Sequence, residues 1–319
     1  MDRKHCSFYA EVVKGYVVKT LIDVLVGSFN RTCFSVTKDG IFLRECDKNR
    51  SILFNIELHR EKFKKYKCEK VVYFSANVKH IQRLIRNLKK KDSLILGIRH
   101  DNPDVLFIMI CPARKPDNTN YRMETADIRI QIEAHPNAVA IPDAAIYKYP
   151  YVIDASEFQK VKRIASVAKT IKVVIRGDNY LGFLCDKEIY STALHFGDPI
   201  GESVLSSRTD QIPVPNVGAS SSDEDDREDY SSESSGASSE EGGADSSSSE
   251  RYYSANFHSS LFNHLVKLPG LCTQMQFYAP VEDLWQLKIR MEAGLLGTVE
   301  VYIKDVDTLA YDDNQTSSV

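Results

Sequence analysis

Residues 77–91 read NVKHIQRLIRNLKKK, and this stretch predicts an amphipathic helix with two stripes of opposite character. The apolar stripe recurs at helical spacing and contains Val78, Ile81, Ile85 and Leu88. The basic stripe recurs at i, i+4, i+7 and i+11 and contains Lys79, Arg83, Arg86 and Lys90. Like charges one turn apart repel by roughly 0.3 kcal/mol per pair, and no carboxylate in this stretch relieves the repulsion. An external anion such as a phosphate backbone would relieve it, with an ordinary solvated face as the alternative.

The length and composition are those of a globular chain with one large domain or two smaller ones. Its 319 residues are 43% apolar, which is enough for a sizeable core. The chain has no run of about 18 apolar residues, and its start, MDRKHCSFYAE, lacks the apolar segment of a signal peptide. We therefore expect an intracellular protein with no membrane partner. The seven cysteines are scattered and never form C-x-x-C, which predicts reduced thiols rather than a disulfide frame or a zinc site.

The acidic charge of the chain is concentrated in one segment. Residues 220–250 contain eleven carboxylates and one arginine, so their net charge is −10. Since the whole chain has a formal net charge of −3, the rest of it carries +7. This Ser-rich tract has too few apolar side chains to offset its ordering entropy, and we expect a disordered insert over residues 217–251. Its serines lie upstream of acids and are candidates for phosphorylation, with an unmodified solubilising loop as the alternative.

Outside this insert, helices alternate with runs of strands in a repeated layout. Helices are predicted at about residues 16–26, 77–91, 154–168 and 256–268, each followed by a strand, a turn and a second strand. The sequence thus resolves into two tandem copies of one α+β unit, joined near residues 133–145. The remaining helices also carry bases on their polar faces, namely Lys19, Lys160, Arg163 and Lys267. A repeated basic face favours phosphate binding over solvation.

Five segments resemble one family. They are residues 8–25 (FYAEVVKGYVVKTLIDVL), 36–47 (VTKDGIFLRECD), 139–142 (VAIP), 156–163 (SEFQKVKR) and 287–303 (LKIRMEAGLLGTVEVYI). In this order, around this layout of helices and strands, they resemble the eukaryotic-type DNA sliding clamps of the proliferating cell nuclear antigen family.

The resemblance implies an α+β DNA clamp fold, with two similar domains that each pack two helices on antiparallel sheets. The domains would span residues 1–132 and 147–319, with an interdomain connector at 133–146 and the insert inside the second domain. Three chains would close head to tail into a ring whose helices face a central hole. By resemblance, the sheet edges that meet lie at residues 126–132, which include Arg129, and at 181–185.

The function implied is that of a sliding clamp. A homotrimer would encircle double-stranded DNA without sequence preference and act as a processivity factor for DNA polymerase. It would also be a docking platform for replication and repair proteins, loaded by an ATP-dependent clamp loader. Such a protein works in the nucleus, or in a cytoplasmic replication factory if it is viral.

The resemblance also implies two sets of site residues. DNA would be contacted by Lys19, Arg83, Arg86, Lys160, Arg163 and Lys267, to which the basic stripe adds Lys79 and Lys90. Clients with short apolar and aromatic docking motifs would bind Cys46, Leu53, Val139, Ile141, Tyr302 and Ile303, for which core packing is the alternative. The chain departs from the family at Thr20 and Val26, which are usually basic, at Gln286, which is usually proline, and in the tail after Ile303.

No catalytic motif is present in the sequence. It contains no glycine-rich phosphate loop with lysine, no G-x-S-x-G and no H-E-x-x-H, and its eight histidines lack ligand spacing. We therefore expect no enzyme activity, no metal and no cofactor. Two rival functions remain open at this stage. One is a subunit of a heterotrimeric checkpoint-type clamp, and the other is a monomeric or dimeric clamp-like factor that binds DNA through its basic face.

Overall fold

A computed structural model describes residues 3–113, 123–136, 139–177, 179–186, 191–197, 252–280 and 285–316. The strands of the first half are β1 (Cys6–Val12), β2 (Arg31–Val36), β3 (Gly40–Cys46), β4 (Ile52–His59), β5 (Lys65–Cys68), β6 (Val72–Asn77), β7 (Ser93–Arg99), β8 (Val105–Cys111), β9 (Glu124–Arg129) and β10 (Gln131–Glu133). Those of the second half are β11 (Pro150–Asp154), β12 (Thr170–Arg176), β13 (Tyr180–Asp186), β14 (Ser191–Gly197), β15 (Tyr252–His258), β16 (Gln274–Tyr278), β17 (Leu287–Glu292) and β18 (Gly297–Ile303). The helices are α1 (Tyr16–Ser28), α2 (Val78–Leu84), α3 (Ala155–Phe158), α4 (Val161–Val167), α5 (Ser259–Leu265) and α6 (Val306–Thr316). The predicted insert at 217–251 lies outside the described residues.

Helix α2 is shorter than the sequence pattern predicts. It begins where the Asn77 side chain accepts a hydrogen bond from the backbone N–H of His80, and it ends at Leu84 rather than near residue 91. Beyond it the chain forms turns, in which Asp92 accepts a hydrogen bond from the Lys89 backbone N–H. Residues 85–91 keep the helical alternation of buried and exposed side chains, which is why periodicity alone extended the helix too far.

The predicted third and fourth helices also differ from the structure at their ends. The third divides into α3 and α4. The fourth begins at Ser259, because residues 256–258 belong to β15 and pair with β12, with His258 opposite Thr170. Phe257 and Leu265, which lie within the predicted range, are both fully buried. Strand and helix periodicities both bury residue 257, so burial alone did not distinguish the two.

Three antiparallel sheets contain the described strands. Their strand orders are β5-β1-β7-β8-β9, β10-β6-β2-β3-β4-β18-β17-β16-β11 and β14-β13-β12-β15. The nine-stranded sheet crosses from one half of the chain to the other where β4 pairs with β18, in a register from Gly297 opposite Leu58 to Ile303 opposite Ile52. The two halves are thus one hydrogen-bonded structure rather than separate bodies.

The two halves repeat the same order of elements. In each half a three-stranded meander, β2-β3-β4 or β12-β13-β14, follows the first helix or helix pair, and a second meander, β7-β8-β9 or β16-β17-β18, follows α2 or α5. Each half therefore packs short helices on antiparallel sheets, and this α+β duplication confirms the predicted fold class.

One predicted sheet edge is wrong. Residues 181–185 lie in β13, which pairs with β12 on one side and with β14 on the other. The edge strands of this four-stranded sheet are β14 and β15, neither of which was predicted as an edge. The other predicted edge agrees in part, since β9 ends the five-stranded sheet while residues 131–133 form β10 in the nine-stranded sheet.

The helices of the two halves meet at a close contact between α1 and α5. A Cβ atom added at Gly27 would lie 2.3 Å from Nδ1 of His264, so a larger residue at position 27 would have to displace the His264 ring. His264 is partly buried here, and this burial, followed by the nearby Lys267 charge, lowers the pKa of the imidazole.

This burial predicts a pH-dependent stability. The unfolded chain binds a proton on His264 near pH 6.5, whereas the folded chain binds it only at lower pH. The neutral His264 imidazole therefore contributes its full share to the free energy of unfolding above this pH, and this share is lost as the pH falls. Between about pH 7.5 and pH 5.5, we expect the free energy of unfolding to fall more steeply for the wild type than for His264→Gln, by up to about 1.4 kcal/mol per pH unit. Urea titrations followed by circular dichroism measure both slopes, and equal slopes would contradict the prediction.

Candidate nucleic-acid interface and client pocket

Four helical segments from both halves lie side by side. Helix α1 contacts α2 and α5, and α5 contacts α4. Each presents apolar side chains to the core, for example Leu21 of α1, Ile81 of α2 and Ile164 of α4. The opposite faces therefore form one surface that carries the predicted basic residues.

Seven of the eight predicted DNA-binding residues are exposed on this surface, and Lys19 is partly exposed. Lys79 and Arg83 lie on α2, and Arg86 and Lys90 lie in the turns that follow it. Lys160 precedes α4, Arg163 lies within α4 and Lys267 follows α5.

Three of these cations already have partners within the chain. The ammonium of Lys19 donates to the carbonyl oxygens of Arg86 and Leu88, at 2.6 and 3.4 Å. The Lys267 ammonium donates to the Asp23 carbonyl oxygen, and Lys160 pairs with Glu157. Lys19 and Lys267 therefore connect neighbouring segments, and Glu157 neutralises the charge of Lys160, before any ligand binds.

The other five cations are better placed to meet an external anion. Within the described residues, no carboxylate forms an ion pair with Lys79, Arg83, Arg86, Lys90 or Arg163. Lys90 lies over the Tyr16 ring at 5.9 Å, which leaves its charge uncompensated.

The departure at Thr20 has a local cause. The Thr20 side chain is buried, and its hydroxyl donates to the Tyr16 carbonyl oxygen at 3.0 Å. A lysine at this position would have to move its charge out of the helix contact, so the surface lacks one cation that the family usually has.

Five of the six predicted client-binding residues come together on the outer side of the β4–β18 junction. Leu53 and Tyr302 are opposite each other in the sheet and are fully buried. Cys46, Val139 and Ile141 are partly buried against them. Ile303 is not part of this cluster, because the strand alternation turns it into the main core with 0% exposure.

The sequence analysis missed several residues of this pocket. Tyr147 and Tyr278 complete its buried part, and Ile146 and Trp285 pack at its rim. Tyr147 packs edge-on against Tyr302 with ring centroids 5.8 Å apart, and its hydroxyl donates to the Trp285 carbonyl oxygen at 2.8 Å. Aromatic enrichment near residue 147 was the available signal, since Tyr147, Tyr149 and Tyr151 follow the connector.

A buried ion pair supports the floor of the pocket. The Lys288 ammonium lies 2.9 Å from Oε1 of Glu300 and within 5.2–5.6 Å of the ring centres of Tyr147, Tyr278 and Tyr302. Oε2 of Glu300 accepts hydrogen bonds from the Tyr302 hydroxyl and the Asn55 side chain. Burial opposes ionisation of Glu300, but the hydrogen bond and charge of Lys288 outweigh it, and the pKa of the carboxyl is lowered.

A second lysine links the rim to the last helix. The Lys304 ammonium lies 5.2 Å from the Trp285 ring centre and 2.6 Å from Oδ2 of Asp312 on α6. Lys304 is buried although it carries a charge, which requires both of these partners.

Within the described part of the chain, no group of three or more His, Cys, Asp or Glu side chains is arranged to hold a metal ion. No helix in these same ranges is long and apolar enough to span a membrane.

Comparison with known proteins finds a family match in the first half of the chain. Residues 7–134 match the family described as proliferating cell nuclear antigen, N-terminal domain. The match covers 128 of the 319 residues, so this part of the chain is similar to that family. The match covers both meanders of the first half with α1 and α2, and it confirms the resemblance to the clamp family that was inferred from the sequence.

Two relatives of the clamp family show how divergent the chain is. It is 25% identical over 179 residues to a protein of Paramecium bursaria Chlorella virus 1 named probable DNA polymerase sliding clamp 1, an alignment that covers 56% of this chain and 66% of the relative. It is 24% identical over 174 residues to proliferating cell nuclear antigen of Saccharomyces cerevisiae, which covers 53% of this chain and 66% of that protein. The alignments thus span just under two thirds of each relative.

The buried ion pair beneath the pocket predicts a double-mutant result. Glu300→Ala leaves the Lys288 charge buried without its carboxylate, and we expect it to lower the free energy of unfolding by about 3–5 kcal/mol. The double variant Lys288→Met/Glu300→Gln removes both charges and should recover most of this loss.

Urea unfolding of the three proteins measures these effects. Glu292→Ala is the matched control, because Glu292 is an exposed carboxylate on the same sheet, and it should change stability by less than about 0.5 kcal/mol. A double variant as unstable as Glu300→Ala would mean that charge burial is not the cause.

Proposed function

We propose that this chain is a DNA sliding clamp, in which three copies form a ring around duplex DNA and tether a DNA polymerase. In this proposal, residues 1–132 and 147–319 are the two clamp domains and residues 133–146 are their connector. The observation that carries the proposal is the internal β4–β18 junction, together with two equivalent strands that lie at sheet edges.

The internal junction is a template for contacts between chains. Strands β4 and β18 are each the last strand of a three-stranded meander, and they pair antiparallel. Strands β14 and β9 are the last strands of the equivalent meanders, and each has one neighbour among the described strands. A β9 edge from one copy would complete the β14 edge of the next, which repeats the same junction between subunits. Such a head-to-tail contact closes into a ring when its rotation fits.

The basic helix surface supports DNA as the encircled ligand. Five exposed cations without carboxylate partners are available to phosphates, and at about 10 Å in water each contact contributes roughly 0.4 kcal/mol before salt screening. Contacts of this kind read no base edges, so no sequence preference is expected. Retention would come from ring closure, and the weak contacts would allow sliding.

The clamp would hold its polymerase near the primer end and raise its effective concentration there. The pocket formed around Leu53, Tyr147 and Tyr302 is the proposed docking site for the polymerase and for other replication or repair clients. A closed ring has no side entrance, so loading would require an ATP-dependent clamp loader. The proposed place of action is the nucleus, or a cytoplasmic replication site if the protein is viral.

The oligomeric mass tests ring formation. Light scattering coupled to size exclusion should give a species near three times the chain mass of 36.1 kDa. A monomer or dimer that still stimulates polymerase would instead favour binding through the basic face. A chain that joins only with two different clamp subunits would favour a heterotrimeric clamp.

Charge reversal tests the DNA-facing surface. Arg83→Glu/Arg86→Glu places two carboxylates where phosphates would approach, and we expect stimulation of the cognate polymerase on long primed templates to fall by about tenfold or more. The oligomeric mass should not change. Arg60→Glu/Lys62→Glu is the matched control, because these exposed bases lie in a short turn outside the four helices. Unchanged stimulation in the first variant would mean that its arginines are merely solvated.

A further inference from the structure

The client pocket is closed by the chain's own side chains. Leu53 and Tyr302, which would form the client-contacting floor, are 0% and 1% exposed. A docking motif therefore finds no accessible floor unless a covering side chain moves. The assignment of the pocket to clients rests on the proposed function.

Trp285 is the covering residue with the clearest geometry. Its ring packs edge-on against Tyr302, with centroids 6.5 Å apart and planes at 66°. Aromatic pairs in this arrangement attract each other beyond simple burial. The indole thus occupies the position over the floor that an aromatic side chain of a client would otherwise take.

The backbone around Trp285 allows the side chain to leave. Strand β17 begins at Leu287, and the Gln286 N–H donates to the Ile303 carbonyl oxygen, which fixes the chain one residue after the tryptophan. Trp285 precedes this ladder and lies outside any helix or strand. Its ring can therefore swing outward without breaking the sheet.

Two charged residues hold the ring in place. Lys304 lies over the indole at 5.2 Å, and Asp312 binds the same ammonium at 2.6 Å. Asp312 belongs to α6, whose first turn is capped where the Asp305 carboxylate accepts from the Thr308 N–H. Helix α6 thus positions the lysine that stacks on the tryptophan.

We propose that Trp285 is an internal plug of the client pocket and that the Lys304–Asp312 pair is the latch that holds it. A client with an aromatic docking motif must displace the indole before it reaches Tyr302. The apparent affinity for the client is then the intrinsic affinity multiplied by the fraction of molecules in which the indole is displaced. Release of α6 would open the pocket without any change in the sheet.

The first experiment reads the plug directly, because Trp285 is the only tryptophan in the chain. Asp312→Ala removes the latch, while alanine retains the helix propensity of α6. We expect the indole emission of this variant to shift to longer wavelength and its quenching by acrylamide to increase. Unchanged emission and quenching would overturn the latch. This measurement needs neither DNA nor polymerase, so it does not depend on the clamp function.

The second experiment measures competition. The probe is a synthetic peptide that places one aliphatic and two aromatic side chains at i, i+3 and i+4 of a helical turn. Trp285→Ala should bind the peptide about tenfold more tightly than the wild type does. Asp312→Ala should also bind it more tightly than the wild type. Leu295→Ala, which truncates an apolar residue that is 72% exposed, is the control and should match the wild type.

The results separate the two hypotheses. Weaker or equal binding by Trp285→Ala would overturn the plug and make the indole a fixed wall of the site. If the peptide binds no variant but Asp312→Ala still exposes the indole, the latch stands and the assignment of the pocket to clients fails.

Discussion

The hydrogen-bonded ladder between β4 and β18 is the constraint on which both candidate sites depend. Its side chains alternate between the two faces of the sheet. Phe54 and Val301 face the main core beneath the helices, whereas Leu53 and Tyr302 face the candidate pocket. One junction therefore supports the basic helix surface on one side and the pocket on the other. A shift of one residue in its register would exchange these two sets, so the two sites are tied to the same backbone pairing.

The charges of the helix surface divide into two groups with different physical roles. Lys19 and Lys267 donate to backbone carbonyl oxygens of neighbouring segments, so their charges also hold the helices together. Arg83, Arg86 and Arg163 have no such acid or carbonyl contact among the hydrogen bonds and ion pairs described here, and their long side chains remain available to a ligand. The positive field of the surface is the sum of both groups, but only the second group can follow a moving phosphate backbone at little structural cost.

The sequence predicted the duplicated α+β fold because apolar spacing survives in each helix and each strand pair. It did not predict the end of α2, since the turns after Leu84 continue the same burial pattern, with a turn-type hydrogen bond from the Leu88 N–H to the Ile85 carbonyl oxygen. It misplaced an edge at β13 because edge and inner strands have the same alternation, and only the pairing with β14 distinguishes them. In the site, it found Leu53 and Tyr302 but not Lys288, because a lysine within a strand gives no sign that it will be buried among tyrosines.

The pocket combines a rigid floor with movable sides, and this difference follows from how each part is held. Lys288, Glu300 and Tyr302 form a buried polar network, which loses its compensation if any member moves, so the floor has one arrangement. The Trp285 ring is held by contacts with Tyr302 and Lys304, and its carbonyl oxygen accepts a hydrogen bond from the Tyr147 hydroxyl, but no sheet ladder includes the residue. In the proposed clamp, adaptation to different clients would therefore occur at the rim. In the proposed clamp, such a rim would give selectivity, because each partner would bind only as far as its own contacts exceed those of the indole it replaces.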